Sequence, residues 1–147
     1  MISVDTNILI YAANPESPDH GKAVAFLQEV TTNEDQYATC ELILVELYMQ
    51  LRNRKIFSKP LTASEAGLYC QTLRKQPNWR HFDYQPIIAE KLWKWASKTK
   101  SGYREIIDAR LALTLRHHGV THFATANVKH FQDFGFTKVW NPLTESI

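Results

Sequence analysis

The chain has little of what several functional classes require. Its two cysteines, Cys40 and Cys70, follow no metal-ligand spacing, so neither a zinc site nor a disulfide framework is expected. Cys40 ends an apolar run and Cys70 falls within a helical pattern, where both read as reduced thiols of the core or its margin. Charge of one sign is not in excess: 17 Lys and Arg against 15 Asp and Glu leave +2. That excludes a strongly basic nucleic-acid binder, though not a basic face around an acidic pocket. No apolar run approaches the roughly 20 residues that span a bilayer, and no basic segment leads into an apolar stretch at the N-terminus. The expectation is a soluble, cytoplasmic protein without a membrane partner. Repeats, low-complexity tracts and linkers are also missing, so 147 residues at 44% hydrophobic read as one domain, 1–147, with a substantial core.

What is there is a set of three carboxylates in apolar settings: Asp5 after Ile2-Ser3-Val4, Glu46 between Val45 and Leu47, and Asp108 after Ile106-Ile107. An ionised group is costly among apolar side chains unless it is paired, exposed at an element's end, or bound to a metal. Three such acids, far apart in sequence, suggest convergence on a cation. With no Cys or His cluster beside them, an all-oxygen donor set favours Mg²⁺, with Mn²⁺ as the second choice, over zinc. Individually each acid has a plainer role: Asp5 as a helix cap, Glu46 as a solvated helix acid, Asp108 as a helix-start acid favoured by the dipole.

The hydropathy pattern alternates strands and helices. Met1 to Asp5 reads as a buried strand, and Thr6 or Asn7 as the cap of a helix from Ile8 to Ala13. Asp19 caps a helix from His20 to about Val30, and Tyr37 to Thr39 is a second strand. Helices follow over Glu41–Asn53 and from Thr62 to about Gln76, the latter with Glu65 completing a capping box. Arg80–Tyr84 is a third strand, Pro86–Lys98 a helix and Lys98–Gly102 a loop. Ile106–His118 is a helix closed by Gly119, and Thr121–Thr125 and Lys138–Trp140 are late strands. The order predicts an α/β fold: a mostly parallel sheet of four to five strands with helices on both faces. Ligands of such sheets bind beyond the carboxyl ends of the strands, where Asp5 falls.

Taken in order, Val4-Asp5-Thr6-Asn7-Ile8-Leu9, Glu46 within a helix and Asp108-Ala109 opening an apolar helix resemble the PIN-domain ribonucleases. Phe123-Ala124-Thr125-Ala126-Asn127-Val128-Lys129-His130-Phe131 and Trp140-Asn141-Pro142-Leu143 look like the VapC toxins of toxin–antitoxin pairs. The resemblance spans the whole chain. It implies a PIN-like fold and a Mg²⁺-dependent endoribonuclease that hydrolyses structured cellular RNA (transfer or ribosomal), leaves a 5′-phosphate and inhibits translation. It also implies a homodimer held inactive by a VapB-type antitoxin, with the apolar helices around residues 42–51 and 62–73 as candidate contacts. By motif position, Asp5, Glu46 and Asp108 would bind the metal, Asn7 would order the site and Thr125 would supply the hydroxyl at the end of the fourth strand. Where members of the group often carry a fourth acid, this chain has Asn127 and His130. Asn127 can still hydrogen-bond a metal-bound water, and Asp133 is the nearby substitute acid.

Basic residues outside the acidic pocket would grip RNA: Arg52, Arg54 and Lys55 at the exit of the Glu46 helix, then Lys91, Lys94 and Lys98 at helical spacing. Tyr103 and Arg104 could stack on or clamp an unpaired base. Glu41 and Glu105 read as surface acids. Trp93 and Trp95, two apart on a helix, are expected to point different ways, one to the core and one to an interface. His117, His118 and His122 fit no zinc pattern and suit a helix C-terminus. Other functions compete: an RNA-maturation nuclease, a non-catalytic RNA-binding or regulatory module, and a small-ester phosphatase. The phosphatase would want Asp-x-Asp, where Asp5-Thr6-Asn7 offers Asn.

Overall fold

A computed structural model describes residues 1–32 and 37–146. Strand β1 (Ile2–Val4) leads into α1 (Thr6–Ala13) and α2 (His20–Thr32). Then come β2 (Tyr37–Cys40), α3 (Glu41–Leu51), α4 (Ala63–Arg74) and β3 (Trp79–Phe82). The chain continues through α5 (Pro86–Ala96), α6 (Glu105–His117) and β4 (His122–Ala124). It closes with α7 (Val128–Phe131), a 3₁₀ turn (Gln132–Phe134) and β5 (Lys138–Trp140).

The five strands are all parallel, in the order β3-β2-β1-β4-β5. The chain steps outward from β1 to β3 and then returns to β4 on the other side of β1. Right-handed crossovers put α1–α4 on one face and α5–α7 on the other. That explains why β1 and β2 are buried on both faces and carry apolar or small residues throughout. The reversal leaves a crevice beyond the C-terminal ends of β1 and β4, where open parallel sheets bind ligands. The core fills the space between layers with Tyr37, Phe123, Phe131, Trp140, Ile8, Ile43, Leu47 and Leu115.

Most element positions match the sequence reading, and the ends differ for local reasons. Helix α1 starts at Thr6, so its cap residue is Asp5 rather than Thr6 or Asn7, and Asp5 makes no side-chain capping bond. Helix α2 runs two residues past Val30, to Thr32, and the Thr31 and Thr32 hydroxyls donate to carbonyls of its last turn. Helix α3 stops at Leu51 because Asn53 folds the exit into an Asx turn, accepting from Lys55 N–H at 2.9 Å. The capping box of Thr62 and Glu65 forms as expected, but α4 stops at Arg74. Pro77 disfavours helical backbone at Gln76 and lacks the N–H that a further turn would use. Strand β3 spans Trp79–Phe82 instead of Arg80–Tyr84, since β2 offers it only the partners Tyr37 to Cys40. Helix α5 ends at Ala96, before Lys98, where the Ser97 hydroxyl donates to Lys94 O. Helix α6 starts one residue earlier than expected and ends at His117, and Gly119 takes the left-handed φ of 82° that closes it. Strand β4 pairs only over His122–Ala124 and is shorter than expected at both ends. The four-residue α7 and the 3₁₀ turn were not legible, being too short to show a period.

Candidate active site

Asp5 leaves the end of β1 and Thr125 the end of β4, at the point where the strand order reverses. Both are buried, Asp5 at 6% exposed. Freed from a capping role, the Asp5 carboxylate turns to Thr125, whose hydroxyl donates to Oδ2 at 2.6 Å. Asn7 Nδ2 donates to the same oxygen at 2.9 Å and to Thr125 Oγ1 at 3.3 Å, while its Oδ1 accepts from Ala126 N–H. Thr125 Oγ1 also accepts from Asn127 N–H at 3.0 Å. One carboxylate is thus fixed by groups from two adjacent strand ends.

The other two acids come from helices on opposite sides of the crevice. Glu46, half-buried on α3, accepts from the Thr6 hydroxyl at 3.1 Å through Oε2. Asp108 stands in the first turn of α6, and His130 Nδ1 lies 2.9 Å from its Oδ2, an arrangement that puts the ring proton on Nδ1. Glu46 and Asp108 both act on Asp5, and Asp108 acts on Glu46. Burial pushes the Asp5 carboxyl up to about 6, with Glu46 and Asp108 adding to the rise and the Thr125 hydroxyl and Thr6 backbone opposing it. Glu46 is raised too, first by burial and then by Asp108, against the Thr6 hydrogen bond. The crevice therefore carries negative charge that its own groups do not neutralise.

Among the described residues, no three His, Cys, Asp or Glu side chains stand close enough together to hold an ion as they are placed. Each acid is turned to its own hydroxyl or imidazole partner. Their chemistry nonetheless fits a hard divalent cation. All are oxygen donors, and mutual repulsion within a half-buried crevice is what such an ion would relieve.

Sequence comparison places these residues in a known setting. Residues 2–136 match the PIN domain. The chain is 48% identical over 144 residues to ribonuclease VapC24 of Mycobacterium tuberculosis, covering 98% of each chain. The chain belongs to the PIN-domain family. Within it, the relative at that identity makes this a VapC-type PIN domain. Solved structures agree on the fold. The M. tuberculosis toxin VapC20, described as cleaving the sarcin–ricin loop, superposes with a TM-score of 0.69 at 19% identity over 92% of this chain and 96% of that one. FitAcB of Neisseria gonorrhoeae gives 0.66 at 18% over 99% and 100%, and VapBC2 of Rickettsia felis, bound to promoter DNA, gives 0.64 at 18% over 96% and 98%.

The PIN crevice gathers Asp5, Asn7, Glu46, Asp108 and Thr125, and it does not gather every candidate. Asn127 enters through its backbone alone; its side chain is exposed. Asp133 faces a neighbouring cleft with Trp95 and Phe134. Arg52, Arg54 and Lys55 lie at the exit of α3, beside the end of α1, where Asn14 holds Ile56 O and Ser58 bonds Glu16. That is the length of α1, about 12 Å, from the Asp5 corner. Lys94 and Lys98 flank a groove with Trp95, while Arg104 precedes Asp108 by one turn and packs on Tyr103. Trp93 is 62% exposed and Trp95 packs against Phe134, so the pair does diverge. His118 stacks on Phe82 at 4.1 Å and His117 meets Lys91, neither near the acids. Glu41 pairs with Arg110 at 3.0 Å. Cys40 is buried, which pushes its thiol up to about 11, and Cys70 is free.

The sequence reading gave Thr6 only as a possible helix cap and His130 only as the residue at the fourth-acid position; the structure makes them the partners of Glu46 and Asp108. The hydroxyl of Thr6 sits beside Asp5 in the chain and could have been suspected. The His130 contact depends on α7, which left no periodic signal.

Proposed function

We propose that this VapC-type PIN domain is a Mg²⁺-dependent endoribonuclease toxin, with Mn²⁺ as an alternative ion, acting on structured cellular RNA and inhibiting translation. The observation that carries the reading is the convergence on the strand switch point of Asp5, Glu46 and Asp108, with Glu46 and Asp108 both disfavouring charge on the buried Asp5. Asp5, Glu46 and Asp108 would hold the ion. When bound, it supplies charge neutralisation at the phosphoryl oxygens and acidifies the attacking water. Thr125 and Asn7 both donate to Oδ2 of Asp5 and hold its carboxylate in one orientation. Thr6 keeps Glu46 from swinging outward. Asp108, held by His130, would accept a proton from the attacking water. The exposed amide of Asn127 is free to hydrogen-bond the attacking water or the scissile phosphate. Outside the acids, Lys94, Lys98 and Arg104 neutralise RNA phosphates, which sets affinity and its salt dependence but not sequence.

The partner reading follows the same logic. Val45, Met49, Leu68 and Tyr69 leave an exposed apolar face on α3 and α4, including a groove of about 530 Å³ lined by Leu61, Leu68 and Leu73. A VapB-type antitoxin would cover that face; a VapBC pair, VapBC2 of Rickettsia felis, is among the solved structures that share the fold. A homodimer would bury Trp93 and Ile87, both exposed on α5. Among the described residues, no helix is long and apolar enough to cross a membrane, which suits action on cytoplasmic RNA.

The deciding experiment is induced expression of the wild type and Asp5→Asn in a host, followed by mapping of new RNA 5′ ends. Discrete 5′-phosphate ends with the wild type alone are expected. Cutting by purified protein should stop in EDTA and return with Mg²⁺ or Mn²⁺. Undiminished cutting in EDTA would remove the metal from the reading, and no new ends from folded, antitoxin-free protein would leave a non-catalytic RNA-binding domain.

A further inference from the structure

Beside the acids lies a second concavity. A cleft of about 450 Å³ is lined by Trp95, Glu105, Lys129, His130, Asp133 and Phe134. His130 belongs to both places, since its ring also holds Asp108. The cleft is thus one side chain away from the candidate reaction centre. Trp95 and Phe134 give it an aromatic wall, with ring centroids 5.8 Å apart and planes inclined by 36°. Its charged groups are unspent. Glu105, Asp133 and Lys129 form no side-chain hydrogen bond or ion pair among the described residues, although both signs face one cavity. Trp95 and Thr99 also line a groove on α5 with Lys91, Lys94 and Lys98, so the cleft opens onto a row of lysines.

Resting on the nuclease reading above, we propose that this cleft holds one unpaired nucleobase adjoining the scissile phosphate, and that the base is guanine. An aromatic wall, acceptors and a single cation are the parts that single-stranded recognition uses: stacking on the base face and hydrogen bonds to its edge. The charges select the base. A carboxylate accepts two parallel N–H bonds from guanine N1 and N2, a pair of adjacent donors that no other RNA base presents. A lysine beside it matches the acceptors O6 and N7 of the same base. Uracil would bring carbonyl oxygens to Glu105 or Asp133, and adenine an unprotonated N1. The lysines of α5 would then carry the phosphates of the strand leaving the cleft.

The test is binding of single-stranded uridine octamers carrying one central G, inosine, A or U, measured by fluorescence anisotropy with wild-type protein in EDTA. Recovered oligomer is checked for intactness. The G octamer should bind tighter than A or U by on the order of tenfold, the discrimination of one bidentate contact. Inosine, which lacks the N2 amino group, should lose most of that advantage. Glu105→Gln or Asp133→Asn should bring the G-to-U ratio toward one, and Trp95→Leu should weaken the G, A and U octamers alike. Equal affinity for all four octamers, no binding of any, or a G preference that survives both acid substitutions would overturn the proposal. The readouts separate it from the reading it rests on. A G preference lost in Glu105→Gln from a protein that cuts no RNA with Mg²⁺ leaves the cleft standing and removes the nuclease. Metal-dependent cutting without a base preference does the reverse.

Discussion

The two sides of the crevice are built differently. On the strand side, Asp5 is buried and hydrogen-bonded by Thr125 and Asn7, which join the ends of β1 and β4. On the helix side, Asp108 is partly exposed and has a single exposed partner, His130, from a helix of four residues. A carboxylate fixed by several donors in a rigid sheet cannot move to meet a ligand; one on a helix surface can turn. Among the described residues the acids repel one another without forming a closed shell. In the reading proposed above, Asp5 would set the position of the ion and Asp108 would adjust to what binds.

The largest test of that contrast is Asp5→Asn. Losing the fixed acid should lower RNA cleavage by roughly a thousandfold, as the loss of several kcal/mol of transition-state charge stabilisation implies. Asn keeps an oxygen toward Thr125 and Asn7, so circular dichroism should be unchanged. If Asp108→Asn proved far more damaging than Asp5→Asn, the fixed side would not be the one that places the ion.

The same burial should appear in stability without any RNA. The Asp5 carboxyl rises from 3.8 to about 6 on folding, so the folded state prefers it protonated. Its favourable contribution is fully present below about pH 3.8 and is lost as pH rises through 6. At pH 7 the metal-free protein carries a cost of roughly 3 kcal/mol relative to low pH. Asp5→Asn removes that cost, so the variant should be more stable than the wild type by urea unfolding at pH 7, and the gap should close toward pH 4. A gap that does not change with pH would mean that Asp5 is not desolvated as its surroundings indicate. Mg²⁺ should stabilise the wild type and leave the variant unmoved.

How much of this was legible in the sequence follows the same division. The strand side was readable: Asp5 follows a short buried strand, whose carboxyl end is where open parallel sheets bind ligands, and Asn7 and Thr125 were supplied by the resemblance of their motifs. The capping box of Thr62 and Glu65 and the left-handed Gly119 were readable because each is a local rule. On the helix side the acids themselves, Glu46 and Asp108, were readable as carboxylates in apolar settings, but their hydrogen-bond partners were not. His130 reaches Asp108 across 22 positions through α7, whose four residues show no period. Helix ends were misjudged wherever a side chain competed with the backbone, as Asn53 and Ser97 do. The cleft of Trp95, Glu105 and Asp133 draws on three separate elements, and nothing in any one of them announces it. Arg52, Arg54 and Lys55 look close to Glu46 in sequence, yet α3 carries them to the other end of the sheet.

Thr125→Val sharpens the strand side at intermediate size. The valine keeps the shape but removes the hydroxyl that donates to Asp5 and accepts from Asn127 N–H. Removal of such a supporting partner typically costs 10- to 100-fold in metal affinity or activity, and that is the fall expected in kcat/KM. Thr125→Ser should recover most of it. A valine variant as active as the wild type would show that Asn7 alone suffices to hold Asp5.

The smallest effect belongs to the helix side. His130→Gln keeps a donor near Asp108, and His130→Ala removes it. Because the pair is exposed, with side chains 52% and 30% accessible, it should contribute at most about 1 kcal/mol to stability, so neither change should move the melting temperature by more than a few degrees. Cleavage should fall about tenfold in the alanine variant and less in the glutamine, since Asp108 keeps its place on α6 and loses only its orientation. The informative quantity is the ratio of this loss to that of Thr125→Val. If His130→Ala costs as much as Thr125→Val, Asp108 is held as firmly as Asp5, and the division into a fixed side and an adjustable side fails.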